Sequence, residues 1–261
     1  MYKRQLWGNL ISDISSLAGL TNLQILILGW NLISDISPLA GLTRLQGLSL
    51  RVNRISDISP LARLTELQML DLDSNLIDDI SPLAKLTKLW WLYLRVNQIN
   101  DISSLARLTN LQELNLDSNR ISDISPLAGL TKLQKLYLAG NQITDISPLT
   151  KLTSLQELDL HWNQIISISP LLANSGLRSG DVLDLRYNYL DLTSGSRDMT
   201  DIQKLIDRGV AVKYRPQREG IGTITGRVTD AVTGRGIAGA YVKASGPILT
   251  STRTDVNGNY R

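Results

Sequence analysis

LTRLQGLSLRVNRISDISPLAR, residues 42–63, returns almost unchanged as LTKLQKLYLAGNQITDISPLTK at 130–151. Asparagines set the period. Asn9, Asn31, Asn53, Asn75, Asn97, Asn119, Asn141 and Asn163 stand 22 residues apart, and Asn188 follows after a three-residue insertion. Within the unit, Leu45, Leu48 and Leu50 alternate with variable positions, as in a short strand buried on one face, so Leu48 and Leu50 are expected to point inward. Ile55, Ile58, Leu61 and Leu64 then recur at roughly helical spacing. Ser59 supplies an N-cap and Pro60 the first helical position. A unit this short cannot bury its own leucines and must stack on copies of itself, with strands in a parallel sheet on one side and helical turns on the other. The predicted architecture is a curved α/β solenoid, its sheet on the concave side and short helical or 3-10 turns on the convex side.

At 261 residues and 43% hydrophobic content, the chain holds a sizeable core and room for a second unit. The absence of cysteine removes disulfide scaffolds, thiolate metal sites and cysteine nucleophiles together. No run approaches the roughly 18 apolar residues of a membrane span, and Met1 does not open a signal-peptide pattern. No membrane insertion is expected. The net charge of +3 hides an asymmetry: residues 1–201 carry 17 Lys/Arg against 20 Asp/Glu, and residues 202–261 carry 10 against 4. A nucleic-acid partner would need positive charge gathered in one stripe, and the acidic body offers none.

The ends depart from the repeat. MYKRQ at 1–5 places Arg4 in the slot of Leu26 and Leu48, which suggests a truncated frame or a sequence scar. Without an N-terminal cap the first repeat should fray. After Asn188, Ile202, Leu205 and Ile206 make one apolar helix face, Gly209 stops the helix, and Val210 to Tyr214 alternate like a closing strand. The solenoid is therefore assigned to 1–214, with a C-terminal cap at about 190–214, and RPQREGIG at 215–222 to a linker. Residues 223–261 are β-rich with glycine turns, and three strands are expected there.

Nothing in the sequence assembles an active site, and no cofactor is called for. His161 is the lone histidine, in a strand-face surface slot equivalent to Arg51 and Asp73, without the positioned partner that catalysis needs. Asp255 to Gly258 faintly resembles the opening of a calcium loop, but the other ligands are missing and a hairpin turn is expected. Asp13, Asp35, Asp57, Asp79, Asp101, Asp123 and Asp145 recur with the repeat, so they are read as capping the following turn rather than binding metal. Specificity should lie in the variable strand positions. Trp30, Trp91, Tyr93, Tyr137, Trp162 and Tyr187 all fall on that face, together with Arg51, Asp73, Arg95, Asp117 and His161. Tyr, Trp and Arg dominate binding hot spots, and exposed apolar patches usually mean a partner. The alternating Arg51, Asp73, Arg95 and Asp117 are also expected to pair across strands about 4.8 Å apart, which would only stabilise the sheet.

The phrase L-x-x-L-x-L-x-x-N-x-I-x-D-I-S-P-L over residues 6–172 resembles the 22-residue leucine-rich repeats of bacterial internalins and of the regulatory subunit of type-1 protein phosphatase. That resemblance implies an α/β leucine-rich-repeat solenoid in which Asn31, Asn53, Asn75, Asn97, Asn119, Asn141 and Asn163 form an internal, structural ladder. GRVTD, GIAGAYV and TDVNGNY at 226–260 resemble the start of a carboxypeptidase regulatory-like, transthyretin-type domain, implying a small, incomplete all-β segment at 223–261. The function implied is non-enzymatic: a monomer that recognises a protein or glycan ligand through the concave face, extracellular or at a bacterial cell surface, in adhesion or recognition. The alternative is an intracellular regulatory scaffold that binds an enzyme such as a phosphatase. An enzyme would need a catalytic domain beyond these residues.

Overall fold

The structure, a computed structural model, describes residues 3–218 and, beyond them, 226–230, 233, 235, 237–238, 241–244, 250–253, 257 and 259–260. The chain divides into two units, 1–218 and 219–261.

The first unit is one parallel sheet of ten strands in chain order. They are β1 (Lys3–Gln5), β2 (Ile25–Ile27), β3 (Gly47–Ser49), β4 (Met69–Asp71), β5 (Trp91–Tyr93), β6 (Glu113–Asn115), β7 (Lys135–Tyr137), β8 (Glu157–Asp159), β9 (Val182–Asp184) and β10 (Ala211–Lys213). Each repeat makes one strand and one return turn, so position 48 pairs with 26 and 70, and every side chain lies beside its counterpart one repeat away. Leu45, Leu48, Leu50, Ile55, Ile58, Leu61 and Leu64 are all buried. Their cover comes from the neighbouring repeats, which is why the fold exists only as a stack.

The return turns are short 3-10 helices from Ser15–Leu17 to Ser147–Lys151, followed by one α-helical turn, α1 (Ser169–Ala173). Ser59 is not the N-cap that the sequence suggested. Ile58 precedes the turn without a side-chain cap, Ser59 is its first residue, and the Asp57 carboxylate accepts the Ser59 N–H at 2.8 Å. The same bond recurs at Asp13, Asp35, Asp79, Asp101, Asp123 and Asp145. These bonds hold the Asp13, Asp57 and Asp101 carboxyls below the ordinary carboxylate range.

At the start, Arg4 lies in register with Leu26, and β1 is exposed throughout. At the other end α2 (Arg197–Asp207) begins with Ser196 accepting the Met199 N–H and buries Ile202 and Leu205. Ile206, expected on the apolar face, is 36% exposed. Gly209 has φ +88°, and a Cβ there would meet Ser179 at 2.8 Å, so both conformation and space require glycine before β10.

Residues 215–218, expected in a linker, belong instead to this unit. Tyr187 N–H donates to the Pro216 carbonyl, and Arg218 N–H to that of Asn188. The Gln217 amide accepts from Asn188 and Leu190 N–H and donates to the Leu185 and Tyr214 carbonyls.

In the second unit, β11 (Gly226–Arg227) pairs with β14 (Asn259–Tyr260), and β12 (Tyr241–Ala244) with β13 (Thr250–Arg253), both antiparallel. Among the described residues these make four short strands, where three were expected. Much of the stretch that carries the carboxypeptidase regulatory-like resemblance lies outside the described residues. So do Asp255, Val256 and Gly258 of the Asp-x-Asn-Gly phrase, while Asn257 sits in a turn.

Candidate interaction face

The strand register builds the variable face as columns. Met69, Trp91, Glu113, Lys135 and Glu157 stand side by side, as do Asp71, Tyr93, Asn115, Tyr137, Asp159 and Asp184. Just past the strands the chain bends sharply. Trp30, Val52, Ser74, Val96, Ser118, Trp162 and Tyr187 all have φ between 53° and 60°, and Gly140 fills the same slot at 66°. A left-handed conformation is unusual for any L-residue and an outlier for a β-branched one, so Val52 and Val96 each store about 1–2 kcal/mol of strain.

That bend precedes the asparagines. Asn119 Oδ1 accepts the Ile99 N–H of the preceding repeat at 3.1 Å, and its Nδ2 donates to the Leu94, Leu116 and Asp117 carbonyls. Asn31, Asn53, Asn75, Asn97, Asn141 and Asn163 make the same set of bonds. Two further rungs lie beyond the seven asparagines expected in the ladder. Asn188 accepts from Ile165 N–H despite its 25-residue spacing, and Gln217 repeats the pattern on Leu185 and Leu190. Asn9 touches only its own Leu6 and Trp7 carbonyls.

The aromatic residues do not form one cluster. Trp30 packs edge-to-face on Trp7 at 6.1 Å, Trp91 lies over Tyr93 at 4.0 Å, and Trp162 stacks on Tyr187 at 4.3 Å. Trp30 and Trp162 are six strands apart, about 29 Å at the usual strand spacing. Trp7, one period before Gly29, was not among the residues singled out from the sequence. Tyr93 donates its hydroxyl to Glu113, and Tyr137 donates to Glu157 at 2.9 Å. Burial and these acceptors push both phenols up, so both remain protonated donors. Trp91, Tyr93 and Tyr137 are half-buried, whereas Trp30 and Trp162 are about half exposed, at 49% and 44%.

The expected charge ladder is also different. No salt bridge joins Arg51, Asp73, Arg95 and Asp117 among the described residues. Asp73 instead accepts the Arg95 main-chain N–H, and Asp117 that of Ala139, both at 2.7 Å. A fixed peptide donor costs no side-chain entropy, unlike a long, mobile guanidinium. Burial, and the Asp71 carboxylate beside it, push the Asp73 carboxyl up to about 6. Burial with the charge of Asp159 does the same for Asp117, also to about 6.

At the C-terminal end His161 has partners the sequence did not reveal. Its Nδ1 lies 2.6 Å from Asp159 Oδ1, and Asp184 stands beside Asp159 in register. Arg186 binds both oxygens of Asp184, by Nη2 at 2.6 Å and Nε at 2.9 Å. Burial raises the Asp184 carboxyl, but the hydrogen bonds from Arg186 outweigh it and hold it below the ordinary value. Arg218 lies over the Trp162 ring at 5.0 Å and over Tyr189 at 5.6 Å. Asp184 was hidden by the insertion, which shifts its column to a 25-residue interval.

No helix among the described residues is long and apolar enough to cross a membrane. The family model for leucine-rich repeats (2 copies) matches residues 43–85, 87–129 and 131–178, about half of the chain. Among solved structures, an internalin (inlF) of Listeria monocytogenes is 40% identical with a TM-score of 0.71, over 78% of this chain and 60% of that one. Internalin C2 of the same organism is 40% identical with a TM-score of 0.66, over 72% of this chain and 80% of its own. The ectodomain of a plant membrane receptor kinase from Arabidopsis thaliana, solved in complex with Casparian strip integrity factor 2, shares the fold at 24% identity and a TM-score of 0.65. This chain spans 60% of the length of the first of these internalins. No curated protein matches the chain. With its repeats matched over about half of the chain and two internalins at 40% identity, the chain belongs to the leucine-rich-repeat family and is internalin-like.

Proposed function

We propose that this chain is a non-enzymatic recognition module that holds a protein partner on its strand face, in adhesion or surface recognition by an exported protein. The observation that carries the reading is the row around β5–β8. There Trp91, Tyr93 and Tyr137 occupy positions the hydrophobic core does not need, with Glu113, Glu157 and Arg95 around them. Half-buried aromatic rings with tethered hydroxyls lose little side-chain entropy on binding, which suits them as anchors. The chain's likeness to internalins favours an outward-facing role, and the plant receptor ectodomain shows the fold bound to a partner.

The test compares the parent with a Trp91→Ala, Tyr93→Ala, Tyr137→Ala variant in capture from cell-surface and cytosolic extracts. The thermal midpoints of both proteins are measured in parallel. The expected result is one surface species retained by the parent and lost by the folded variant. Equal retention by both, or a cytosolic enzyme as the parent's species, defeats the proposal.

A further inference from the structure

Asp159 and Asp184 are direct neighbours on β8 and β9, and His161 lies two residues beyond Asp159. One ligand atom from each of the three lies within 4.8 Å of the other two. Two carboxylates side by side on adjacent strands repel each other unless a positive group intervenes. Here each carboxylate has its own neighbour: Arg186 pairs with Asp184, and the His161 imidazole lies in hydrogen-bond contact with Asp159. A single dication between the three would compensate both carboxylates together.

We propose that Asp159, His161 and Asp184 form a site for one borderline divalent transition-metal ion, with zinc as its reference occupant. One imidazole nitrogen and two carboxylate oxygens suit zinc, whereas calcium and magnesium require oxygen ligands throughout. Ligand bonds of about 2.0–2.2 Å need donor atoms about 3.3–3.6 Å apart in a tetrahedron. The 2.6 Å Asp159–His161 contact therefore opens slightly and the wider separations close, by side-chain rotation on a fixed sheet. The Nδ1 lone pair replaces the hydrogen bond to Asp159, so the neutral imidazole carries its proton on Nε2 instead. Three protein ligands leave the fourth position to water or to a donor from outside. Arg186 is the built-in competitor, because its guanidinium grips both oxygens of Asp184.

The experiment is calorimetric titration of the untagged whole chain with zinc chloride and, separately, calcium chloride. His161→Ala, Asp184→Asn and Arg186→Ala variants are run alongside, each checked by circular dichroism. One zinc per chain is expected, with affinity falling about tenfold or more in His161→Ala and Asp184→Asn. Arg186→Ala should bind zinc more tightly than the parent, an effect no merely structural ion pair would produce. Calcium should not compete. Failure of the parent to bind at about 1 mM zinc, undiminished binding in His161→Ala, or weaker binding in Arg186→Ala each overturns the site.

Discussion

Replacing Asp73 by Asn should stabilise the solenoid at neutral pH. Asp73 is 9% exposed and stands beside Asp71, and its carboxyl titrates at about 6 rather than near 3.8. A carboxyl raised in the folded state binds its proton more tightly there than in the unfolded chain. Between the two values the folded protein holds more protons, so its stability falls as pH rises. Below about pH 4 both states are protonated and the carboxyl contributes nothing. Above about pH 6 the cost is complete. The shift corresponds to at most about 3 kcal/mol. Because the group keeps partial contact with water, about 1–2 kcal/mol is the realistic figure. Arg51 and Arg95 already lower the value, and the amide oxygen of Asn still accepts the Arg95 N–H, so nothing else is lost. Urea unfolding of parent and Asp73→Asn from pH 4 to pH 8 measures the difference. The gain should grow through that window and level off. A variant less stable than the parent at pH 7, or a gain that does not shrink on acidification, would refute the reasoning.

The ladder and the bend give two further expectations. Asn119→Ala strands a buried N–H at Ile99 and frees three carbonyls, so it should cost about 3 kcal/mol in urea unfolding, whereas Asn9→Ala should change stability by under about 0.5 kcal/mol. Val96→Asn should raise the thermal midpoint by relieving about 1 kcal/mol of left-handed strain, and Gly140→Val should lower it by a similar amount.

The fold was legible because its signal is repeated: a 22-residue period forces the stacking, and the register of Leu48 on Leu26 and Leu70 follows from it. The details of the face were less so. Periodicity places Asp73 beside Arg51 and Arg95, but it does not say that a peptide N–H lies within reach of the carboxylate. Nor does it reveal that the column holding Trp30, Val96 and Trp162 is left-handed, since bulky residues occupy a conformation normally signalled by glycine. The terminal features broke the period itself. Asn188 and Asp184 are displaced by three residues, Gln217 substitutes a longer side chain 29 positions after Asn188, and the apparent linker Arg215–Arg218 closes the stack.

Gln217 shows what defines a rung. The contact requires a primary amide whose oxygen accepts a main-chain N–H of the preceding repeat and whose nitrogen faces carbonyls, whatever length of chain intervenes. Segments of 22, 25 and 29 residues all return to it. The molecule can thus absorb insertions on its turn side while the spacing of its strands stays constant. Its outer loops are free to diversify, and the geometry of the strand face is insulated from that change.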